Sequence, residues 1–329
     1  MRTSYVPLLV FLVIIRVLGL AHGAATLSMN FYQKSCPEAE AIIKKVTWAH
    51  VSSNPQLPAK FLRLQAHDCF VRGCDASVLL DSPPNAQEKD KAEKDAPPNK
   101  HLAGYDVIEL AKAQLEKTCP GVVSCADIVA LASRDSVSFQ FHRSLWEVPT
   151  GRRDGTVSLQ QEALAQLPDP SSNFTTLQKN FADKGININD LVVLSGAHTL
   201  GVGHCFLFKN RLYNFTGKGD TDPSIDPTYA ELLKKKCLNQ RDFKTTIDMD
   251  ESPLTFDNNY YKILKQNKGM FTGDATLLTN PEASKIVDKM LDSKTFFTEF
   301  AQSMQRFGAI GVLTGDEGQI RKKCNVVNA

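Results

Sequence analysis

Residues 63–77 read Arg-Leu-Gln-Ala-His-Asp-Cys-Phe-Val-Arg-Gly-Cys-Asp-Ala-Ser and carry the densest chemistry of the 329-residue chain. Pro58, Phe61, Leu62 and Leu64 lead into this stretch with helical spacing, so Arg63 and His67 fall at i and i+4, on one side of a helix. A fixed guanidinium beside a titratable imidazole can take a proton from a substrate and support the anion that forms. The same spacing also fits a surface arginine beside a half-buried histidine. Next, Asp68, Val71, Gly73, Asp75 and Ser77 arrange carboxylates, a hydroxyl and backbone carbonyls around a glycine turn bounded by Cys69 and Cys74. A hard cation takes about six to eight oxygens at roughly 2.4 Å, so calcium suits this loop; a solvated acidic loop is the plain alternative.

The surrounding pattern is helical. Ser35 and Pro37 cap and open a helix toward Ala49 with Ile42, Ile43 and Val46 on one side, and a second helix spans Tyr105 to Lys117, ended by Cys119-Pro120-Gly121. Ser124 and Asp127 form a capping-box signature for a third through Ile128, Leu131 and Ala132. Asn189 or Asp190 caps a helix that sets Leu191, Leu194 and His198 on one stripe, where small Gly196 and Ala197 admit a flat group to the backbone. A hydrogen-bonded core histidine is the alternative for His198. Further helices are expected at Pro227 to Cys237, Asn259 to Gln266 and Pro281 to Phe307. Strand-type alternation is scarce and no Gly/Ser linker or long-period repeat occurs, so the expectation is one all-α domain over residues 24–329. Polar, proline-rich loops at 82–99 and 217–226 suit functional roles.

Arg2, an apolar run from Tyr5 to Ile15 and the small-residue patch Ala21-His22-Gly23-Ala24-Ala25 have the layout of a signal peptide, expected to be cut near Gly23. The run of 11 residues before Arg16 falls short of the ~20 a membrane span needs. Without residues 1–23 the chain has 36 basic and 36 acidic residues, a balance that argues against nucleic acid and electrostatic membrane attachment. With 42% hydrophobic and 22% charged residues it is no disordered or low-complexity chain. Cysteines at 36, 69, 74, 119, 125, 205, 237 and 324 suit four disulfides, though about 105 pairings are open. No C-x-x-C occurs, which speaks against zinc. Asn173-Phe174-Thr175 and Asn214-Phe215-Thr216 are glycosylation sequons.

Several long motifs in order resemble the secreted plant haem peroxidases called class III. They are Arg63 to Ser77, Cys119-Pro120-Gly121-Val122-Val123-Ser124-Cys125-Ala126-Asp127, Pro149-Thr150-Gly151-Arg152-Arg153-Asp154-Gly155 and Leu194 to Cys205, with Phe256-Asp257-Asn258, Tyr260-Tyr261 and Gly318-Gln319-Ile320-Arg321 to Cys324. The likeness runs from about Asn30 to Asn328 with every cysteine in register.

This resemblance implies a multi-helix fold with one haem b between distal and proximal halves, two calcium ions, and reduction of hydrogen peroxide by phenolic donors giving up one electron at a time. It makes His67 the distal base and Arg63 its partner, Glu93 and Asn99 the relay behind His67, His198 the iron ligand and Asp274 the carboxylate behind it. Pro168 and Ala66 line the substrate path. One calcium maps to Asp68, Val71, Gly73, Asp75 and Ser77, the other to Thr199, Asp250, Ser252, Thr255 and Asp257. The implied disulfides are Cys36–Cys119, Cys69–Cys74, Cys125–Cys324 and Cys205–Cys237. A monomer is implied, exported to the cell wall or apoplast rather than the vacuole, since five residues follow Cys324.

Three positions depart from the family pattern: Ala66 stands where phenylalanine is usual, Gln65 where histidine is common, and Ala103 where arginine precedes Gly104. Two rival readings are a silent extracellular glycoprotein or binding module on the same fold, and a metal-dependent hydrolase, for which no H-E-x-x-H is present.

Overall fold

The computed structural model describes residues 27–238 and 244–329, so the expected leader, residues 1–23, lies outside the described residues. Thirteen α-helices and one two-stranded ribbon occur among them. The N-terminal half is built from α1 (Ala39–Ser53), α2 (Leu57–Val71), α3 (Tyr105–Thr118) and α4 (Cys125–Ser138), with α4 packed against the other three.

Every residue of α4 is buried; Asp127, Arg134, Ser136 and Ser138 have hydrogen-bond partners there, whereas among the described residues Ser133 Oγ and Asp135 Oδ2 have none. Ser124 Oγ accepts from the Asp127 N–H (3.1 Å), half of the expected capping box. The Asp127 carboxylate does not reach back. It accepts instead from Tyr32 OH (2.6 Å), Gly151 N (2.7 Å) and Arg152 Nη1 (2.7 Å), a buried network that fixes the loop after Pro149 against the helix.

The C-terminal half packs α7 (Ile188–Ser195) on α12 (Pro281–Met290) and α13 (Ser293–Phe307), with α10 (Asn259–Lys265) alongside and the rings of Phe256, Tyr261, Phe296 and Phe300 between them. A separate small core forms around Phe208, Leu212, Met270 and Phe271, closed by the Cys205–Cys237 bridge under α8 (Cys205–Tyr213) and α9 (Pro227–Lys236). Strands β1 (Val202–His204) and β2 (Thr246–Asp248) pair antiparallel with Val202 opposite Asp248.

All four disulfides form the pairs the resemblance implied. Cys125–Cys324 spans 199 residues and ties α4 to the C-terminal segment. The double variant Cys125→Ala/Cys324→Ala is expected to lose about 2–5 kcal/mol of unfolding free energy in urea titration; an unchanged midpoint would show that the bridge is dispensable.

Several boundaries differ from expectation. The first helix starts at Ala39, after turns at Ser35 and Pro37, and runs to Ser53. Asn187, not Asn189 or Asp190, caps α7, with Oδ1 accepting from Asp190 N at 2.9 Å. Asp190 turns inward instead, onto Ser303 Oγ (2.7 Å) and Arg306 Nη2 (2.6 Å). The span 281–307 is two helices, because Asp292 Oδ1 accepts from Thr295 N (2.8 Å) and restarts the chain as α13. Short α5 (Gln160–Gln166) and α11 (Thr272–Thr276) lack enough turns to show a period, whereas α6 (Phe174–Ala182) buries Phe174, Leu177 and Phe181 at helical spacing behind Asn173, whose Oδ1 caps Thr176 N at 3.0 Å.

Candidate active site

Arg63 and His67 lie one turn apart on α2 as the spacing required. His67 Nδ1 donates to Asn99 Oδ1 at 2.6 Å, and Asn99 Nδ2 donates to the Glu93 carbonyl at 2.7 Å. That second bond fixes the amide with its oxygen toward His67, so Nδ1 carries the proton and Nε2 keeps a lone pair. Arg63 Nη2 donates to the Pro98 carbonyl at 2.7 Å. Burial first, and then the Arg63 charge, push the His67 pKa down to about 4, against the upward pull of Asn99. The imidazole is therefore neutral and basic above that pH.

Glu93 enters this relay through its backbone, not its carboxylate. The carboxylate is buried, neither of its oxygens has a hydrogen-bond partner, and burial pushes it up to about 8. Asp68, Asp75 and Ser77 are buried in the same region. Asp68 Oδ2 accepts from Ala76 N (3.0 Å), Asp75 Oδ1 accepts from Ser77 N (2.9 Å), and Ser77 Oγ has no partner. Burial and then the neighbouring Asp75 charge drive the Asp68 carboxyl well above the usual range. Unpaired oxygen atoms and crowded buried carboxylates are what a hard cation would satisfy, so the residues fit calcium. Gly73 holds the turn at φ +102°, where a Cβ would stand 2.4 Å from Gly311 O. The two assigned carbonyls already accept one bond each, Val71 O from Lys184 Nζ (3.0 Å) and Gly73 O from Asp75 N (2.8 Å), which leaves each a second lone pair.

The second set gathers tightly. Thr199 Oγ1 lies 2.7 Å from Asp250 Oδ2 and 3.0 Å from Asp257 Oδ1, and Ser252 Oγ lies 3.0 Å from Asp257 Oδ2 and 3.3 Å from Asp250 Oδ1. Thr255 belongs to the same turn through its N–H on Ser252 O (2.8 Å), while its side chain is exposed. The Met249 N–H donates to Gly201 O (3.0 Å) beside the ribbon, bringing the Asp250 turn next to Thr199. No cluster of three or more His, Cys, Asp or Glu able to hold a metal occurs among the described residues. A cation at either place would draw on hydroxyl and carbonyl oxygens as well, which calcium accepts and zinc disfavours.

His198 is not on the α7 stripe: the helix ends at Ser195 and Gly196–Thr199 continue as a 3-10 turn. Its Nδ1 donates to Asp274 Oδ1 at 2.8 Å. Tyr260 OH (3.0 Å) donates to the same oxygen and Phe271 N (2.9 Å) to the other. Burial favours a protonated Asp274, but the His198 charge and these donors outweigh it and hold the carboxyl below its ordinary range. Burial likewise opposes charge on His198, and Asp274 more than offsets it, so the imidazole pKa is raised. With Nδ1 engaged, Nε2 is the nitrogen left to bind. Gly196 is small for a reason other than the expected flat ligand: a Cβ there would sit 2.4 Å from Tyr261 OH and 2.7 Å from Phe296.

Pro168 and Ala66 are both half-buried, and the Pro168 loop is tied to the Asp274 loop by Gly273 N donating to Pro170 O (2.9 Å). Ala103 forms part of the wall of an open cavity of about 360 Å³ that also includes His50, Lys60 and Asp106. Gln65 is buried with its Oε1 unpartnered. Sequence reasoning quoted Tyr260 and Tyr261 as a motif without a role; the hydroxyl of Tyr260 on Asp274 supplies one. The signal was an aromatic pair with polar tips in an apolar segment.

A disulfide-tied helical chain that keeps one histidine neutral against an amide and backs another with a buried carboxylate has the makings of a haem-type redox enzyme. The peroxidase family pattern matches residues 43–293. Peroxidase 24 of Arabidopsis thaliana is 51% identical over 308 residues, 92% of this chain and 87% of that protein. Peroxidase 3 of the same plant is 49% identical over 309 residues, 93% of each chain, and Peroxidase 1 is 46% identical over 327 residues, 98% of each. The chain belongs to the peroxidase family. It is a peroxidase enzyme, and the family implies haem, hydrogen peroxide and a reducing donor. Arg63, His67 and His198 are all in place, and nothing favours the silent alternative.

Proposed function

We propose that residues 24–329 act as one exported peroxidase domain that reduces hydrogen peroxide with small phenolic donors. The observation that carries this reading is the contrast between the two histidines: His67 hydrogen-bonds an amide and stays a neutral base, whereas His198 hydrogen-bonds a carboxylate and becomes an electron-rich ligand. His67 Nε2 takes the proton from the near oxygen of peroxide and returns it to the far one, while Arg63 supports the charge on the separating oxygen. Haem b, one per chain and held by His198, supplies the redox chemistry: hydrogen peroxide and two phenols give two water molecules and two phenoxyl radicals. Asp274 keeps Nδ1 protonated, which leaves Nε2 as the nitrogen that would hold the iron. Pro168 and Ala66 line the donor path. Asp68, Val71, Gly73, Asp75 and Ser77 hold one calcium, and Thr199, Asp250, Ser252, Thr255 and Asp257 the other.

Export is supported by the leader-like sequence, by four disulfides, and by two exposed sequons, Asn173 and Asn214, which are sites for sugar. No helix of the described residues is long and apolar enough to cross a membrane. The protein acts as a monomer in the cell wall or apoplast.

The test is the absorption spectrum of the exported protein. A ferric Soret band that bleaches with one equivalent of hydrogen peroxide and recovers on adding guaiacol is expected; a folded protein that takes up no haem overturns the assignment of His198. Ala66 carries a methyl beside His67 where the family usually has a ring, so Ala66→Phe is expected to lower conversion of thioanisole to its sulfoxide by about tenfold, the scale on which a changed pocket volume discriminates substrates. Guaiacol turnover should change far less. Equal sulfoxidation by both proteins would remove Ala66 as a determinant of substrate size.

A further inference from the structure

Val71 ends α2 and offers its carbonyl to the first cation loop, yet that oxygen already accepts from Lys184 Nζ at 3.0 Å. Lys184 lies 113 residues further on, in the turn between α6 and α7. Lys184 N and Ile186 N both donate to Phe181 O at 3.0 Å, and Gly185 takes φ +74°, so the turn is tightly held. The Phe181 ring packs on Phe70 with centroids 4.9 Å apart, which sets the turn beside Val71. The ammonium also donates to Gln166 Oε1 at 2.6 Å, at the end of α5.

Both acceptors are neutral. The acids whose charges reach Lys184 are Asp183 and Glu162, and each has another partner. Lys179 Nζ lies 2.6 Å from Asp183 Oδ2, and Arg72 holds Glu162 through Nε and Nη2 at 2.6 and 2.8 Å. A half-buried lysine therefore presents an unneutralised charge to an oxygen that a cation is to share. Calcium takes a carbonyl at about 2.4 Å, so with Nζ 3.0 Å from the same atom the two charges stand no more than roughly 5.4 Å apart. Even at the dielectric constant of water, a double and a single positive charge at that separation repel by about tenfold in affinity.

We infer that Lys184 sets the affinity of the calcium loop: by sharing the Val71 carbonyl with the ion, it holds binding at least about tenfold weaker than Asp68, Val71, Gly73, Asp75 and Ser77 alone would give. This inference rests on the calcium reading above. The effect falls on retention of the ion, and reaches the His67 side of the site through Asp68 only when the ion is lost. Lys184 makes no hydrogen bond to the set around Thr199 and Asp257, which serves as an internal reference.

The test is equilibrium dialysis of the exported, haem-loaded protein against EGTA-buffered calcium at low ionic strength. Two sites per chain should be resolved, and Asp75→Asn identifies the loop site as the one it weakens. Lys184→Met keeps the aliphatic stem without the charge, and should tighten that site by about tenfold or more while leaving the other unchanged. Lys184→Gln keeps an N–H donor for Val71 O and should tighten it comparably, whereas Lys184→Arg keeps the charge and should stay within about threefold of wild type. The gap between wild type and Lys184→Met should shrink as sodium chloride is raised, since salt screens a charge effect and not a packing one. Equal affinity in wild type and both uncharged variants overturns the inference, as does weaker binding in them, which would make Lys184 a support for the carbonyl. Equal tightening by Lys184→Arg, or a gap that salt leaves untouched, overturns it too. A wild type with no calcium site that Asp75→Asn weakens defeats the calcium reading itself, and this one with it.

Discussion

His67→Leu is expected to slow the reaction with hydrogen peroxide by about 10²–10⁴-fold, the contribution of a positioned general base, while the ferric absorption band stays. Stopped-flow mixing with peroxide measures it, and a loss below tenfold would mean that another group carries the proton. The acid limb of the same rate profile adds a sharper test. Burial and Arg63 hold the His67 pKa at about 4, so the rate should be flat above that pH and fall as pH drops through it. Arg63→Leu removes a charge that disfavours the imidazolium, so the limb moves to higher pH. Asn99→Val removes a bond that favours it, so the limb moves to lower pH. Shifts of the same sign in both variants would contradict the geometry.

Calcium removal should have the second large effect. Asp68 and Asp75 are buried together, and stripping a cation from them leaves two carboxylates without compensation until they take up protons. Uncompensated buried charge costs about 3–5 kcal/mol, which sets the expected loss of unfolding free energy on treatment with EGTA. Catalysis should suffer too, because Asp68 follows His67 directly and Asn99 hangs from the Glu93 carbonyl. Urea titration with and without EGTA checks the first, and peroxide kinetics the second. A protein unchanged in both holds no ion at this loop.

The site was legible where chemistry is local. Arg63 and His67 sit one turn apart on a helix, and the Cys69–Cys74 loop gathers its oxygens within ten residues, so spacing alone placed them together. What joins distant segments was not legible from spacing: Asp274 lies 76 residues from His198, and Asn99 lies 32 from His67. Those pairs came from resemblance to long motifs. Even resemblance did not distinguish the Glu93 carbonyl from its carboxylate, since both belong to one residue and only backbone geometry decides which meets Asn99. Cap assignments failed for a related reason. Asn187, Asn189 and Asp190 are all good caps, and tertiary pairing of Asp190 with Arg306 selected among them.

The Cys69–Cys74 loop also has a schedule. Its backbone is closed by the far end of the chain: Cys74 N donates to Ile310 O (2.9 Å), Arg321 Nη2 to Ala76 O (2.6 Å) and Asp81 N to Asn325 O (3.0 Å). Arg321 follows Ala76 at a separation of 245 residues, and that stretch must be made before the loop can settle. At a synthesis rate of ~5–20 residues per second, this is a delay of ~10–50 s. The catalytic wall therefore stays unfinished while the ribosome is still at work, and a chain released early, short of its last dozen residues, lacks Arg321 and Asn325 and with them two of these three bonds. Synthesis of residues 310–325 and closure of this loop are thus coupled.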